Sequence, residues 1–240
     1  MSATFVLVHG AWHGGWCYAR VAEILRAHGH RVFTPTMTGL GERVHAAAAH
    51  ITLTTHVTDI ANVLRYEDLR DVVLCGHSYG GLVISGVVEA VPERIAALVY
   101  LDAFVPENGQ SLHDLVPETQ RARQLEAAAA NGGFVPPIPA ANFGVNERDR
   151  AYVDALCVPQ PLETLRERLV LTGARERVAH KTYLRAGTYR STPFDAARER
   201  LTGAPGWVTD AIPSGHDVMI DAPGELAAAL TAAAERAGRA

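Results

Sequence analysis

Residues Asp71 to Gly81 read DVVLCGHSYGG, and they are the strongest indication of the fold. Its opening residues, 71–75, form an apolar run that predicts a buried strand. Residues 76–80 match the pattern G-x-S-x-G, and the apolar residues after them predict a helix buried against the sheet centre. A strained turn in this setting lifts the Ser78 hydroxyl clear of the sheet at the positive end of the helix, which predicts a nucleophile. The alternative is a glycine-rich turn with an incidental capping serine.

Short apolar runs alternate with helical patterns along the rest of the chain, which is typical of a parallel sheet covered on both faces. The last helix is expected to begin near Pro223, with Asp221 as its N-cap. The predicted fold class is therefore α/β, with a mostly parallel sheet of about six strands and helices on both faces. The predicted strands are Thr4–Val8, Arg31–Thr34, Asp71–Cys75, Ala96–Leu101, Lys181–Arg185 and Trp207–Ala211.

The alternation is interrupted once, between Leu101 and Lys181, by a segment too long for a single crossover helix. Helical patterns near 111–130, 147–155 and 162–171 flank a proline-rich piece in this segment. An insertion of this size in a compact domain is usually a lid or a binding element, and the alternative is an extra helical layer. The predicted organisation is a core of residues 1–106 and 180–240, with a mainly helical cap at 107–179 inserted after the fourth core strand.

Composition and charge exclude several classes of protein. A chain of 240 residues can bury a sufficient core without metals or disulfides, and its three cysteines are far apart in the sequence. The net charge of −4 gives no reason to expect a nucleic-acid or membrane partner. No secretory leader or membrane-spanning stretch is found, so the prediction is a soluble, cytoplasmic protein. The sequence does not predict its oligomeric state.

A serine nucleophile needs a base, because its hydroxyl is a poor nucleophile at neutral pH. Among the eleven histidines, His216 lies just past the last predicted strand, which places it at the same carboxyl edge of the sheet as Ser78. The oxyanion is expected to be bound by the backbone N–H groups of Tyr79, directly after the nucleophile, and of Ala11, after the first strand. No HExxH motif is present, so neither a metal nor another cofactor is expected.

Four stretches together resemble the α/β-hydrolase superfamily, and more narrowly its branch of small bacterial esterases, plant methylesterases of the salicylate-binding type and plant hydroxynitrile lyases. The likeness covers nearly the whole chain and includes the length of the cap. It implies the α/β-hydrolase fold and serine chemistry without a cofactor. The stretches are Phe5–Ala11, Gly76–Gly81, Leu101–Pro106 and Gly215–Asp217.

The acid of the catalytic triad departs from the family pattern. In the family it usually follows the penultimate strand, but residues 186–193 contain no carboxylate, and Tyr189 stands near the expected position. Asp102, after the preceding core strand, keeps the chain order Ser, Asp, His and is the preferred candidate. A structural role at the start of the cap is the alternative for this residue.

Two further carboxylates compete for this role. Asp195 is the second candidate, although it is expected to lie in a helix and to point away from the base. Asp217 is adjacent to His216 in sequence and cannot easily reach round the same imidazole. A Ser78–His216 dyad without a carboxylate also stays open.

These residues predict an esterase that cleaves a small apolar or aromatic carboxylic ester through a covalent acyl-serine. Aromatic side chains at the expected pocket favour such a small-molecule substrate. For Phe134 and Phe143 the alternative is ordinary packing within the cap. The predicted substrate-binding residues are Trp12, Phe104, Phe134 and Phe143.

Three other functions stay open on the same fold. The resemblance includes cofactor-free lyases, but these carry a threonine where Gly10 stands and a lysine where Asp217 stands. Without the positive charge of that lysine a leaving cyanide is not stabilised, so the esterase is preferred. The others are a tailoring enzyme of secondary metabolism, either a cyclase or a thioesterase, and a ligand-binding protein that keeps the hydrolase shell.

Overall fold

The computed structural model describes residues 2–238 of the chain, so the outermost residues of the predicted core lie outside the described part. Its strands, in chain order, are β1 (Thr4–Val8), β2 (Arg31–Phe33), β3 (Val72–His77), β4 (Ile95–Leu101), β5 (Phe134–Val135), β6 (Gln160–Pro161), β7 (His180–Ala186) and β8 (Trp207–Ile212). Its α-helices are α1 (Ala19–Ala27), α2 (Leu53–Tyr66), α3 (Gly80–Ala90), α4 (Leu112–Leu115), α5 (Glu118–Ala130), α6 (Glu147–Leu156), α7 (Glu163–Arg166), α8 (Ala174–Arg177), α9 (Thr192–Leu201), α10 (Val218–Asp221) and α11 (Pro223–Arg236). Short 3-10 helices cover Gly15–Tyr18, Gly41–Ala46, Pro92–Arg94 and Ala140–Phe143.

The main sheet has six parallel strands in the order β2-β1-β3-β4-β7-β8. Strand β3, at its centre, is buried along its whole length because it is apolar on both faces. All six predicted strands are present within about two residues of their predicted ends. The predicted α/β class is therefore confirmed, and β3 extends to His77, directly before the predicted nucleophile.

Helices cover the sheet as the apolar patterns predict. Helix α3 is buried nearly all round and packs on β3, with α2 against it, while α1 packs against α11. Helix α11 begins at Pro223 as predicted, but Asp221 is not its N-cap. The cap position belongs to Ala222, one residue later, and the Asp221 carboxylate instead accepts hydrogen bonds from the backbone and side-chain amides of Asn146.

Residues 107–179, between β4 and β7, contain the helices α4–α8 and the two-residue antiparallel pair β5–β6. The first predicted helix in this segment is divided, because Pro117 lacks an N–H and disfavours helix in the residue before it. The helix predicted over 162–171 ends at Arg166. Beyond that residue the backbone pairs with a distant loop instead, through the N–H of Leu169 and the carbonyl of Gln110 (3.1 Å).

Trp12, in the loop after β1, ties this segment to the sheet. Its backbone N–H donates to Gln160 Oε1 and its indole Nε1–H to the Val135 carbonyl, both at 3.0 Å. Its own carbonyl accepts from the N–H of Val158 at 2.9 Å. Segment 107–179 is thereby held over the carboxyl edge of the sheet. Within residues 2–238 no helix is long and apolar enough to span a membrane.

Candidate active site

Ser78 lies on a tight turn between β3 and α3, with a left-handed backbone (φ 54°). Its carbonyl accepts hydrogen bonds from the N–H groups of Gly81 (3.0 Å) and Phe104 (3.2 Å). The turn requires its glycines, since a Cβ at Gly76 would lie 2.5 Å from the Gly80 carbonyl oxygen, and one at Gly81 2.1 Å from that of Phe104. The backbone therefore holds the Ser78 side chain at the carboxyl edge of the sheet.

Asp102 directly follows β4 and lies next to His216. The imidazole Nδ1–H of His216 donates to Asp102 Oδ2 at 2.6 Å, and both side chains are buried. The second oxygen, Oδ1, accepts from the N–H of Ala186 (3.0 Å) and from Arg185 Nη1 (2.6 Å). Each oxygen thus has its own partners, and Nε2 of the imidazole is left to face the cavity that Ser78 and His216 both line.

The His216 imidazole is packed among aromatic rings. Tyr189 stacks on it at a centroid distance of 4.8 Å, Phe194 at 5.3 Å, and Phe143 is tilted against it at 5.3 Å. Burial raises the pKa of Tyr189, so this ring is neutral. Tyr189 therefore occupies, as an aromatic wall, the part of the site where the family pattern expects a carboxylate.

The other two carboxylate candidates lie elsewhere. Asp195 is in α9, as expected, with its side chain 63% exposed, and it accepts a hydrogen bond from Arg185 Nε at 2.9 Å. Asp217 is fully buried and accepts from His13 Nε2 at 3.2 Å. In the described structure neither hydrogen-bonds to the imidazole of His216, which Asp102 does.

The loop after β1 is oriented by His9. Its Nδ1–H donates to the Gly10 carbonyl at 2.8 Å, while its Nε2 accepts from the N–H of Met37 at 3.1 Å. Burial lowers the pKa of His9 to about 3, so the ring is neutral and keeps these roles. The C=O and N–H of a trans peptide point in opposite directions, so the Ala11 N–H is turned away from His9. Ala11 and Tyr79 both line the cavity that contains Ser78.

A buried ion pair lies behind this loop, between His13 and Asp217. Both ring nitrogens of His13 face acceptors, with Nδ1 at 2.8 Å from the Ala11 carbonyl and Nε2 at 3.2 Å from Asp217 Oδ2. Burial opposes protonation of His13, but the charge of Asp217 and the hydrogen bond to it outweigh burial and raise its pKa well above the ordinary value. Burial also opposes the charged form of Asp217 and would raise its pKa, but the charge of His13 outweighs burial and lowers it. The pair connects the loop after β1 to the residue that follows His216.

Sequence reasoning missed three of these buried groups, namely His13, His77 and Arg185. His77 donates from Nε2 to the His216 carbonyl at 3.0 Å and so supports the loop that carries His216. Their common signal is that each polar residue lies at or just beyond the carboxyl end of a predicted strand. Within residues 2–238 no group of three or more histidine, cysteine or acidic side chains could hold a metal ion.

A cavity of about 660 Å³ opens above Ser78 and His216. Its walls come from the sheet edge and from segment 107–179, and include Trp12, Phe104 and Phe143 as predicted. Among the described lining residues, four side chains are ionisable and the walls are mainly apolar. The four are Tyr79, Arg123, Tyr189 and His216. The segment contributes Leu112, Pro117, Thr119, Gln120, Arg123, Gln124, Ala127, Val135, Pro136, Pro137, Ile138, Pro139, Asn142, Phe143 and Leu165.

Phe134 corrects the predicted set of pocket residues. It lies in β5, where successive side chains point to opposite faces of the strand. Its neighbour Val135 lines the cavity above Ser78, and Phe134 instead lines a separate shallow groove with Val44 and Asn131. The alternation of the strand therefore removes Phe134 from the cavity.

Both the sequence and the fold of this chain are similar to those of known proteins. Residues 5–229 match the model of the alpha/beta hydrolase family, and the chain belongs to that family. A Carbendazim hydrolyzing esterase from Nocardioides sp. (strain SG-4G) is 46% identical over 239 residues, which cover 96% of this chain and 99% of that protein.

Two further similarities point to the same family. Methylesterase 1 of Arabidopsis thaliana is 38% identical over 118 residues, which cover 45% of this chain and 41% of the relative. An extracellular alpha/beta-hydrolase from a Paenibacillus species superposes with a TM-score of 0.85 at 26% identity, covering 96% of this chain and 98% of the other. It is described as sharing structural and functional homology with tobacco Salicylic Acid Binding Protein 2.

Proposed function

We propose that this protein is a carboxylic ester hydrolase in which Ser78 is the nucleophile, His216 the base and Asp102 the acid. The observation that carries the proposal is the 2.6 Å hydrogen bond from His216 Nδ1 to Asp102 Oδ2, beside the cavity that Ser78 lines. The esterase names of the full-length Nocardioides relative and of the plant methylesterase support the same activity.

The reaction proceeds in two halves through an acyl-serine. His216 Nε2 takes the proton of the Ser78 hydroxyl as its oxygen bonds to the substrate carbonyl carbon, and the N–H groups of Ala11 and Tyr79 bind the oxyanion. Asp102 stabilises the imidazolium, which then protonates the departing alcohol as the ester bond breaks. In the second half, His216 takes a proton from water, the hydroxide attacks the acyl carbon, and the proton returns to Ser78 as the carboxylic acid leaves.

The cavity favours a small apolar or aromatic ester. Its volume of about 660 Å³ and its aromatic walls suit a ligand that is held mainly by burial of apolar surface. In this proposal residues 107–179 act as a cap over the bound ester. Because a relative is named for carbendazim, this compound belongs in the substrate panel together with phenyl and methyl esters.

The lyase alternative is disfavoured by the charge beside the base. Asp217, where the resemblance to hydroxynitrile lyases expects a lysine, is a buried anion whose positive partner is His13. This ion pair supplies no net positive charge, such as the lysine would, to stabilise a leaving cyanide.

A fluorophosphonate probe with peptide mapping tests the proposal, together with turnover of p-nitrophenyl acetate. We expect one label, on Ser78, and expect Ser78→Ala to lose both labelling and turnover, because its hydroxyl is the attacking group. Ser2→Ala, at an exposed serine remote from the cavity, is the matched control and keeps both. Labelling of a different serine, or ester turnover that survives in Ser78→Ala, rejects the assignment. Ligand binding to an unlabelled, inactive wild type would instead indicate a binding protein.

A further inference from the structure

Arg185 lies where this site departs from the family pattern. The penultimate strand of the sheet, β7, carries Arg185 close to its carboxyl end, whereas the proposed acid Asp102 follows β4. The Arg185 side chain is only 4% exposed. A buried guanidinium therefore lies at the end of the strand after which the family pattern expects the acid.

The Arg185 guanidinium joins three parts of the site. Nη1 donates to Asp102 Oδ1 at 2.6 Å and to the Ala186 carbonyl at 2.7 Å. Nη2 donates to the Tyr189 carbonyl at 2.5 Å, and Nε to Asp195 Oδ1 at 2.9 Å. The planar fork thus holds the end of β4, the loop after β7 and the start of α9 in one arrangement.

Two consequences follow for the base. Since Arg185 and the Ala186 N–H bind Oδ1, the Asp102 carboxylate cannot rotate, and Oδ2 stays directed at His216 Nδ1. The bond to the Tyr189 carbonyl also fixes the loop whose ring stacks on the imidazole. In addition, the positive charge offsets part of the negative charge with which Asp102 stabilises the imidazolium.

We propose that Arg185 is a positioning residue that locks Asp102 onto His216 and offsets part of the carboxylate charge that the imidazole meets. This proposal rests on the proposed function, since it assigns Arg185 a role within the same triad. Arg185 acts through Asp102 and touches neither substrate nor the reacting atoms in this proposal.

Other titratable groups face the same region, and their charges are accounted for. His77 is neutral because burial lowers its pKa, and Tyr189 is neutral because burial raises its pKa. The positive charge of His13 is paired with Asp217. Arg185 is therefore the cation that contacts the Asp102 carboxylate directly. The groups around the imidazole are Asp102, Arg185, Asp195, His77, His13, Tyr189 and Asp217, and Arg123 lines the same cavity as His216.

The pH profile of kcat/KM for p-nitrophenyl acetate tests the role in Arg185→Met and Arg185→Lys. In Arg185→Met we expect kcat to fall about 10-fold to 100-fold, because the carboxylate is no longer aligned. We expect the acidic limb of the profile to move up by about one pH unit, because a repelling cation is lost. Arg185→Lys keeps the charge, so its limb stays near the wild-type position while kcat recovers only in part.

A matched control separates this role from a structural one. Arg175 is equally buried and pairs with Glu176 and the Pro106 carbonyl, away from the triad. Arg175→Met is expected to lower Tm without moving the acidic limb. If Arg185→Met lowers kcat and Tm with an unmoved limb, or leaves kcat and the limb unchanged, the proposal is wrong.

Asp195→Asn provides a test that does not require removing a buried arginine. Losing this exposed anion leaves the Arg185 charge less compensated, so the acidic limb moves to lower pH by about 0.3 unit. An unmoved or raised limb in this variant contradicts the charge effect. Labelling of wild-type Ser78 by the fluorophosphonate is measured in parallel, so failure of the hydrolase assignment is distinguished from failure of the Arg185 role.

Discussion

At the scale of single residues, the choice among carboxylates follows from contacts to one imidazole. Asp102 Oδ2 lies 2.6 Å from His216 Nδ1, whereas Asp195 contacts Arg185 and Asp217 contacts His13. We expect Asp102→Asn to lower kcat by about 10⁴-fold, because the amide no longer stabilises the imidazolium or its tautomer. Asp195→Asn is the matched control and stays within about threefold of the wild type. Steady-state kinetics decides, and a fall of less than tenfold in Asp102→Asn removes it from the triad.

The buried His13–Asp217 pair determines a pH dependence of stability. The pKa of His13 is raised above 6.5, so its contribution is complete below that pH and is lost as pH rises through the folded-state value. The pKa of Asp217 is lowered below 3.8, so its contribution is present above that pH and is lost as pH falls through its folded-state value. The pair therefore stabilises the fold most between about pH 4 and 6.5.

Asp217→Asn tests this pair by urea unfolding at several pH values. Near pH 6 we expect a loss of about 3 kcal/mol in the free energy of unfolding, because His13 is left buried without its counter-charge. The loss shrinks as pH rises through the folded-state pKa of His13, since His13 becomes neutral. Glu163→Gln breaks an exposed pair with Arg166 and costs less than about 0.5 kcal/mol. A loss that does not change with pH contradicts the assigned charges.

At the scale of elements, the site depends on strand ends with unusual backbones. Trp12, Ser78 and Asp102 follow β1, β3 and β4, and all three have positive φ (66°, 54° and 42°). Non-glycine residues in this region are strained, and such strain is frequent at functional sites. The strand ends therefore turn sharply, which directs groups from neighbouring strands toward one cavity.

The elbow between β3 and α3 gives a prediction at this scale. In Gly81→Ala the added Cβ would lie 2.1 Å from the Phe104 carbonyl oxygen, so α3 and the loop after β4 must separate. We expect a loss of about 3 kcal/mol in the free energy of unfolding. We also expect most of the ester turnover to be lost. Gly224→Ala, in α11 with no atom within 4 Å of its new Cβ, is expected to leave stability within about 1 kcal/mol. Equal effects of the two substitutions in urea unfolding would refute this account.

At the scale of the whole molecule, Trp12 joins segment 107–179 to the sheet edge. Trp12→Phe removes the indole N–H that binds the Val135 carbonyl, which keeps its ladder partner Gln160 in β6. The expected cost is about 1 kcal/mol of local stability. Hydrogen exchange of residues 134–139 should therefore become faster, with a higher KM for p-nitrophenyl esters.

Trp207→Phe is the matched control for this prediction. Trp207 lies in β8, the outermost strand on the side of the sheet away from β1. It is expected to leave exchange of residues 134–139 and the KM unchanged. Exchange in Trp12→Phe that equals the wild-type rate would show that the indole contact does not hold the segment.

Local sequence patterns predict the strands, the α/β class, and the position of Ser78 and His216 at one sheet edge. Apolar runs define strands, and parallel strands bring their carboxyl ends together. Three features appear only in the folded chain: Asp102 faces His216, Arg185 binds Asp102, and Phe134 faces away from the cavity. These contacts join residues far apart in the chain, and their distances depend on side-chain packing that no local pattern encodes.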